Sequence, residues 1–336
     1  IQDFTMNPKP IIAITMGDIN GIGPEIIGKV LINKEILKIC TPIILGNIQA
    51  YQYYCSKLKN YLEPIKIDTP EEALHLKNKV GIIELEYQNL KIRPGIIDPK
   101  NSISATAWIH QAVKWCIEKR CDAIVTCPIT KEGLARAKIP YDGHTTMLAD
   151  WTKTKNYRMS LFAGNMRVVH HTAHKSLLNA IQSLNKKDLI KTIEIGYNAL
   201  KTICTHTFHI GVAGLNPHAG EQGLFGNEEL DIISPAINTC KKKGIPCSGP
   251  YPPDTIFRRM FRGEFDMIIA MYHDQGHIPM KLIAMDKGVN VTLGLPIIRT
   301  SVDHGTAFDI AGKGIACEQS LYHAIKLAIQ FTKKKD

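Results

Sequence analysis

The sequence predicts an α/β protein whose sheets are largely parallel. Short apolar runs alternate with segments of helical periodicity along the chain, a pattern typical of strands joined by helical crossovers. At 336 residues the chain is longer than the commonest single domain, so we expect either one large α/β unit or two joined domains, and we favour two. Hydrophobic residues make up 44% of the chain and charged residues 21%, which leaves enough apolar surface for packed cores.

The predicted strands are short apolar runs bounded by Gly, Pro or polar residues. They cover residues 11–16, 43–45, 123–126, 159–162, 209–213, 267–271 and 289–293. Over residues 104–117, apolar positions recur at i, i+3 and i+4 spacing, which predicts an amphipathic helix with one buried face. The Pro- and Gly-bearing stretch after Cys127 is the expected domain boundary. We therefore assign residues 1–127 and 291–336 to a first domain and residues 128–290 to a second.

Composition and charge exclude several classes of protein. No apolar run reaches the ~18–20 residues that span a bilayer, and the first ten residues lack the order of a signal peptide. We therefore expect a cytoplasmic protein with no membrane partner. The nine cysteines are odd in number and never spaced C-x-x-C, which argues against a disulfide framework or a zinc ribbon. The net charge of +10 comes without a recognition motif for nucleic acid, so we expect the basic surface to attract small phosphorylated anions and no nucleic acid.

Three glycines follow the first predicted strand in the segment MGDINGIGPE, residues 16–25. This segment nearly matches two nucleotide-binding motifs. Read as a P-loop, the match runs from Gly23 to Val30, and Val30 stands where the motif has the hydroxyl that binds magnesium. Taken as a dinucleotide fingerprint, it has Ile26 in place of the third glycine. The segment is therefore either a structural turn or a substrate-binding loop, and the residues alone leave both open.

Polar clusters follow several of the predicted strands. They are DGHT at 142–145, TAH at 172–174, NPHAGE at 216–221 and MYHDQGH at 271–277. Open α/β folds bind ligands at the carboxyl ends of parallel strands, and three histidines can hold a metal ion while leaving coordination positions open. His174, His218 and His273 are far apart in sequence. Each is therefore either a metal ligand or a hydrogen-bonded structural histidine.

The run GVNVTLGLPIIRTSVDHGTAFDIAGKGIA, residues 288–316, combines amide, guanidinium, carboxylate, imidazole and glycine within a short span. Arg299 can bind a carboxylate or phosphate through two hydrogen bonds, and Asn290 and Lys281 can donate to the same anion. The alternative is a turn followed by a capped helix. The density of polar groups between apolar strand residues favours an anion site.

Together these motifs resemble the 4-hydroxythreonine-4-phosphate dehydrogenase (PdxA) family over nearly the whole chain, from Ile11 to about Ile329. The stretches that carry the resemblance are MGDINGIGPEI, DGHTT, GLNPHAGEQGLFGNEE, GPYPPDTIF, AMYHDQGHIPMK and the 288–316 run. Its HGTAFDIAGKGIA part is also similar to the adenosine-binding loop of isopropylmalate and isocitrate dehydrogenases. The resemblance implies their fold, with two α/β/α domains and an active site in the cleft between the domains.

The resemblance also implies a set of site residues. The metal ligands fall on His174, His218 and His273, and the substrate contacts on His144, Thr145, Lys281, Asn290 and Arg299. Cofactor contacts fall on His304, Gly305, Thr306 and Asp309, while Lys281 and Asp254 are the candidates for proton transfer. In this family the third histidine reaches the metal from the other subunit, which implies a homodimer with shared active sites and dimer contacts in the second domain.

The implied reaction oxidises 4-phosphohydroxy-L-threonine with NAD or NADP and a divalent metal such as zinc, magnesium or cobalt. The β-keto acid formed then loses carbon dioxide, which gives 3-amino-2-oxopropyl phosphate for pyridoxal 5′-phosphate (vitamin B6) synthesis. Thr146 stands where the family usually has Glu, Lys175 and Ser176 replace a more apolar pair, and Asn20 replaces a small residue. These departures bear on substrate positioning and leave the implied ligands intact.

Three other functions remain open at this point. Relatives that oxidise phosphorylated four-carbon sugar acids would use the same metal and cofactor. Phosphate acyltransferases have a related fold, but they need neither three metal-binding histidines nor an adenosine loop. A non-catalytic binding protein is also conceivable, because a fold does not fix a function.

Overall fold

The computed structural model describes residues 9–85 and 90–333, and it divides the chain into two compact units. Unit 1 contains the residues up to Lys153 together with Pro296–Thr332, and unit 2 contains Thr154–Leu295. None of the helices formed by the described residues is both long and apolar enough to cross a membrane.

The described residues form strands and α-helices that alternate along the chain, as predicted. The strands are β1 (Ile11–Thr15), β2 (Thr41–Leu45), β3 (Glu63–Lys66), β4 (Lys79–Ile83), β5 (Ala123–Thr126), β6 (Arg158–Ala163), β7 (Met166–His170), β8 (Ile210–Ala213), β9 (Cys247–Tyr251), β10 (Met267–Ala270), β11 (Val289–Leu293) and β12 (Arg299–Val302). The helices are α1 (Gly23–Leu31), α2 (Lys34–Ile39), α3 (Ile48–Cys55), α4 (Pro99–Ile117), α5 (Lys131–Arg136), α6 (His144–Trp151), α7 (Leu177–Gln182), α8 (Lys186–Ile203), α9 (Ser234–Lys242), α10 (Pro253–Phe261), α11 (His273–Ala284) and α12 (Gln319–Thr332).

Unit 1 is built on a parallel sheet in the order β3-β4-β2-β1-β5-β12. Every residue of β1 and β5 is buried, as expected for central strands of a parallel sheet that helices cover on both faces. The helix α4 starts five residues before its predicted limit, because the Asp98 side chain accepts a hydrogen bond from the Lys100 N–H and Pro99 occupies the first turn.

The predicted domain boundary after Cys127 is wrong, because residues 128–153 belong to unit 1. The helices of this segment, α5 and α6, pack against α4 of the same unit. Pro128 therefore lies in the turn from β5 into α5, Gly133 lies within α5, and the chain leaves unit 1 only after Lys153. It returns at Pro296, a few residues after the predicted crossing at Val291.

Unit 2 has a mixed sheet in the order β11-β6-β7-β10-β8-β9. The strands β7, β10, β8 and β9 are parallel, whereas β6 runs antiparallel to both β7 and β11. The prediction of largely parallel sheets therefore holds for unit 1 and only for part of unit 2. Only two residues, Gly164 and Asn165, connect β6 to β7, and Gly164 has a φ of +60°. So short a turn can join only antiparallel strands.

One hydrophobic cluster in the core of unit 2 lies between its sheet and the helices α10 and α11. It contains Leu161, Met166, Val168, Ala213, Ile256, Phe257, Met260, Phe265, Ile268, Ala270 and Met280. The helix α11 packs on β6, β7 and β10, and α10 packs on β8 and β10. This packing fixes the first turn of α11 and the loops around it relative to the carboxyl ends of the parallel strands.

Candidate active site

Three loops that carry the histidines implied as metal ligands leave the same edge of unit 2. The strands β7, β10 and β8 are adjacent and parallel, so their carboxyl ends lie side by side. His174 follows β7, His218 follows β8, and His273 begins α11 directly after β10. The structure therefore brings the three segments to one edge of the sheet, although they are far apart in sequence.

His273 lies in a stack of imidazole rings. Its ring centroid is 3.7 Å from that of His277 and the two rings are nearly parallel, while the ring centroid of His174 lies 6.4 Å from that of His273. The Nδ1 atom of His273 is 2.6 Å from an oxygen of Asp274. A carboxylate partner on Nδ1 leaves Nε2 available for a metal ion and fixes the orientation of the ring.

A second histidine pair, His170 and His277, packs against this stack. Nδ1 of His277 is 2.9 Å from Nε2 of His170, the last residue of β7. Burial lowers the pKa of His170 to about 3 and that of His277 to about 4, with repulsion between neighbouring imidazoles adding to both shifts. Both rings are therefore neutral at pH 7. Gly276 allows this packing, because a Cβ atom there would lie 2.5 Å from Nε2 of His170.

His218 lies in a turn, Pro217–Gly223, whose backbone is left-handed over five consecutive residues from His218 to Gln222. This conformation is costly for residues other than glycine and is often found at functional sites. The buried Glu229 holds the preceding segment, since its Oε1 accepts the N–H groups of Leu215 and Asn216 at 2.7 and 2.8 Å. The imidazole of His218 is exposed.

A single chain does not bring the three implied ligands within reach of one ion. Among the described residues, the only group of three metal-binding side chains whose ligand atoms lie within 4.8 Å of one another is Cys204, His206 and Asp266. A metal site shared between two chains therefore stays a prediction.

The other implied residues of unit 2 lie in three different elements. Lys281 is exposed on α11, and because it follows His273 and His277 at intervals of four residues it shares their helix face. Its charge contributes to the low pKa of His277. Asn290 is half-buried on β11. Asp254 is exposed in the first turn of α10, which packs beside the Pro217–Gly223 turn.

In unit 1 the structure brings His144 and Arg299 together. Arg299 begins β12, is 3% exposed and donates to the hydroxyl of Thr126 at 2.9 Å. Burial lowers the pKa of Arg299 to about 9, so it is charged at pH 7. Burial and the positive charge of Arg299 together hold the pKa of His144 well below its usual value. A neutral imidazole therefore lies beside a buried cation, and its buried Nε2 atom bonds to no other described residue.

Thr145 and Thr146 follow His144 in the first turn of α6, and both are half-buried. The Thr146 hydroxyl donates to Asp142 at 2.6 Å. Thr146, one of the residues that depart from the family pattern, therefore forms hydrogen bonds within its own loop.

The glycine-rich segment at residues 16–25 supports the implied cofactor loop. The Ile22 N–H donates to the carbonyl of Thr306 at 3.0 Å. A side chain at Gly21 would collide with the same residue, since a Cβ atom would lie 2.9 Å from the Thr306 oxygen. His304 and Thr306 are at least partly buried, while Gly305 and Asp309 are exposed. Of the two interpretations that the sequence left open, these contacts favour the structural turn.

Lys29, the lysine of the near P-loop match, is engaged within unit 1. Its ammonium lies 2.9 Å from Glu25 and donates to the carbonyls of Gly314 and Ala316. Glu25 is 1% exposed and accepts the N–H groups of the same two residues. The pair therefore stabilises the loop before α12, which gives Lys29 a structural role in unit 1.

Four positioning residues were missed by the sequence analysis: His170, His277, Glu229 and Gln275. Gln275 accepts the Met271 N–H at 2.7 Å and donates to the Gly214 carbonyl at 2.8 Å, which ties the ends of β10 and β8 together. The spacing of His273 and His277 could have indicated a shared helix face. Glu229 ends the motif GLNPHAGEQGLFGNEE, but its residue type does not show that its carboxylate accepts the main-chain N–H groups of Leu215 and Asn216.

The comparisons with known proteins agree with this architecture. The family model described as pyridoxal phosphate biosynthetic protein PdxA matches residues 38–328. A D-threonate 4-phosphate dehydrogenase from Cupriavidus necator is 41% identical, over 97% of this chain and 98% of its own length. A 4-hydroxythreonine-4-phosphate dehydrogenase from Desulfosudis oleivorans is 42% identical, over 96% of each. The crystal structure of a 4-hydroxythreonine-4-phosphate dehydrogenase from Klebsiella pneumoniae is 39% identical, with a TM-score of 0.87 and coverage of 97% of this chain and 100% of that chain.

Matches of this length and identity, together with the shared fold, show that the chain belongs to the PdxA family and is a dehydrogenase of that family.

Proposed function

We propose that the protein catalyses the NAD-dependent, metal-dependent oxidation and decarboxylation of 4-phosphohydroxy-L-threonine, for pyridoxal 5′-phosphate synthesis. The observation that carries this proposal is the placement of three histidine-bearing loops at the carboxyl ends of the adjacent strands β7, β10 and β8. A relative and a solved structure at 42% and 39% identity are named for this substrate.

The side chains at this edge fit a divalent cation. His174, His218 and His273 would hold it, with His218 and His174 exposed and the ring of His273 oriented by Asp274. Three neutral imidazoles suit zinc or cobalt better than magnesium, which prefers oxygen ligands. When bound, such a cation lowers the pKa of a substrate alcohol and polarises the carbonyl that oxidation creates.

The remaining implied residues have chemistry suited to an anionic substrate. Arg299 presents a buried guanidinium for a carboxylate or phosphate, and the neutral His144 beside it can donate or accept one hydrogen bond. Thr145, Lys281 and Asn290 add further polar groups. Of the two candidates for proton transfer, we favour Lys281, because it shares a helix face with His273, whereas Asp254 lies in another helix.

The loop with His304, Gly305, Thr306 and Asp309 would hold the adenosine part of NAD or NADP. Its shape is fixed by the bond from Ile22 to Thr306, and the exposed Asp309 can accept from a ribose hydroxyl. The nicotinamide ring supplies the hydride acceptor.

A second candidate substrate is 4-phospho-D-threonate, for two reasons. The relative from Cupriavidus necator, named for that compound, is as similar as those named for hydroxythreonine phosphate. In addition, Thr146 replaces a carboxylate that would pair with the ammonium of an amino acid, and a hydroxyl suits a sugar acid equally well.

The deciding experiment measures kcat/KM by NAD reduction for 4-phosphohydroxy-L-threonine, 4-phospho-D-threonate and 4-phospho-D-erythronate, with the metal held constant. We expect 4-phosphohydroxy-L-threonine to give the highest value, and a mismatch at the second carbon to cost up to about 10⁴-fold where a buried partner is left unsatisfied. A higher value for either sugar acid would exclude a role in vitamin B6 synthesis. An absence of NAD or NADP reduction with all three would contradict the proposal as a whole.

A further inference from the structure

Three side chains that can bind a metal lie close together at the other edge of the unit 2 sheet. They are Cys204, His206 and Asp266, and one ligand atom from each lies within 4.8 Å of the other two. Cys204 directly follows α8, His206 lies in the connection to β8, and Asp266 immediately precedes β10. The group therefore lies at the amino ends of β8 and β10, whereas the implied active-site histidines follow the carboxyl ends.

Asp266 is held rigidly by its neighbours. Its N–H donates to the carbonyl of His209 at 2.9 Å, and its Oδ2 accepts the His209 N–H at 2.9 Å. Its carbonyl accepts from Arg167 at 3.1 Å. These bonds fix the second carboxylate oxygen, Oδ1, which lies 2.8 Å from Nε2 of His206.

Cys204 and His206 approach this oxygen from the end of α8. The Cys204 N–H closes the helix by donating to Leu200 at 2.8 Å, and the residue is buried. The side chain of His206 is 61% exposed, so solvent and ions reach the group from its side. A buried sulfur, a fixed carboxylate oxygen and an accessible imidazole thus face one another.

We propose that Cys204, His206 and Asp266 bind a divalent cation of the zinc class, with water as the fourth ligand. Sulfur, imidazole nitrogen and carboxylate oxygen are the three donor types that Zn²⁺ accepts in proteins, and the sulfur disfavours magnesium and calcium. On binding, the thiol of Cys204 releases its proton to solvent and the metal replaces the hydrogen bond between His206 and Asp266. The ion ties the end of α8 to the amino edge of the sheet.

The test uses cobalt, because thiolate coordination to Co²⁺ gives a near-ultraviolet charge-transfer absorption that imidazole ligands cannot give. The full-length His218→Ala variant serves as background, since it weakens the proposed active-site metal. We expect one equivalent of Co²⁺ per chain to produce the absorption and Zn²⁺ to abolish it. His206→Ala should weaken cobalt binding at least tenfold, and Cys204→Ser should remove the absorption.

Matched controls separate this site from nonspecific thiol binding. Cys317→Ser removes the exposed cysteine and His75→Ala removes an exposed histidine of unit 1, and both should leave the absorption unchanged. If Cys204→Ser does not fold, His206→Ala provides the deciding measurement, because the exposed His206 side chain can be removed without disturbing the core. No absorption, an absorption unaffected by His206→Ala, or one lost in Cys317→Ser would overturn the proposal. None of these outcomes depends on catalytic activity.

Discussion

Buried charged residues of unit 1 are stabilised by hydrogen bonds to main-chain groups. Glu25 accepts two N–H groups of the loop before α12, and Asp18 accepts the Asn20 N–H at 2.9 Å. Asp18 also accepts from Asn101 at 3.2 Å and is 1% exposed. The two acids differ in that Glu25 has Lys29 as a charged partner, whereas no described cation pairs with Asp18.

Burial without a cation raises the pKa of Asp18 from 3.8 to about 6. Between about pH 4 and pH 6 the folded protein therefore keeps a proton on Asp18 that the unfolded chain has lost. The contribution of this proton to the free energy of unfolding is fully present below about pH 4 and is lost as the pH rises through 6.

We expect Asp18→Asn, which keeps an oxygen for both hydrogen bonds and cannot ionise, to be more stable than the parent at pH 8 by on the order of 2–3 kcal/mol. The advantage should vanish near pH 4. Chemical denaturation at pH 4 and pH 8 measures the free energy of unfolding of both proteins. If Asp18→Asn differs from the parent by the same amount at the two pH values, Asp18 ionises as an ordinary carboxyl.

His218 offers the clearest single-residue test of the proposed metal site. Because its imidazole is exposed, His218→Ala should remain folded while losing the metal equivalent of the proposed active site and nearly all turnover. Metal content by atomic absorption, far-ultraviolet circular dichroism and NAD reduction give the three readouts. His75→Ala, an exposed histidine of unit 1, should leave turnover unchanged. Full activity in His218→Ala would remove it from the ligand set.

Among the elements, the Pro217–Gly223 turn is contacted by α10 and by the Glu229–Ile233 turn. The segment that leads into its left-handed backbone is held by Glu229, which begins a single π-helical turn, Glu229–Ile233. Such turns inside helices are frequent at functional sites. A side chain at Gly220 would also collide with Glu229, since a Cβ atom would lie 2.7 Å from its Oε2.

We expect Glu229→Ala to weaken metal binding by roughly 10- to 100-fold without removing any ligand. The variant should also lose about 2–4 kcal/mol of stability, because the Leu215 and Asn216 N–H groups lose their acceptor. Glu228→Ala is the matched control, because Glu228 accepts a hydrogen bond from the Asn216 side chain whereas Glu229 accepts from two main-chain N–H groups, and its effect should be smaller. Equal effects of the two substitutions on metal affinity would show that Glu229 does not position His218.

For the whole molecule, the central proposal is a homodimer whose metal sites each use His273 of the second chain. Mixing His218→Ala chains with His273→Ala chains tests it, because each is expected to be inactive alone. In a heterodimer one site carries both lesions and the other carries none. With random exchange, about a quarter of parental activity should return.

Subunit exchange must be verified independently, by recovering mixed dimers through two different affinity tags. If mixed dimers form and NAD reduction stays at the level of the separate variants, each chain builds its site from its own residues. Analytical ultracentrifugation of the parent should show a dimer.

The sequence alone determined the α/β class, seven strands and the helix α4. This was possible because the spacing of apolar residues along a strand or helix is set by the local geometry of that element. It did not reveal β3, β4, β7, β9 or β12. The short runs EPIK, CSGPY and RTSV of β3, β9 and β12 contain polar residues or proline. It also placed the domain boundary too early, because a proline in the turn into α5 cannot be distinguished by sequence from a proline at a domain crossing.

For the site, the motifs identified His144 and Arg299 individually, whereas only the tertiary structure put the neutral imidazole beside the buried guanidinium. The edge shared by His174, His218 and His273 follows from the order of β7, β10 and β8, which no local pattern encodes. Strand order and burial also decided the roles of His170 and Glu229, because hydrogen bonds between distant segments and the desolvation that shifts a pKa exist only once the chain has packed.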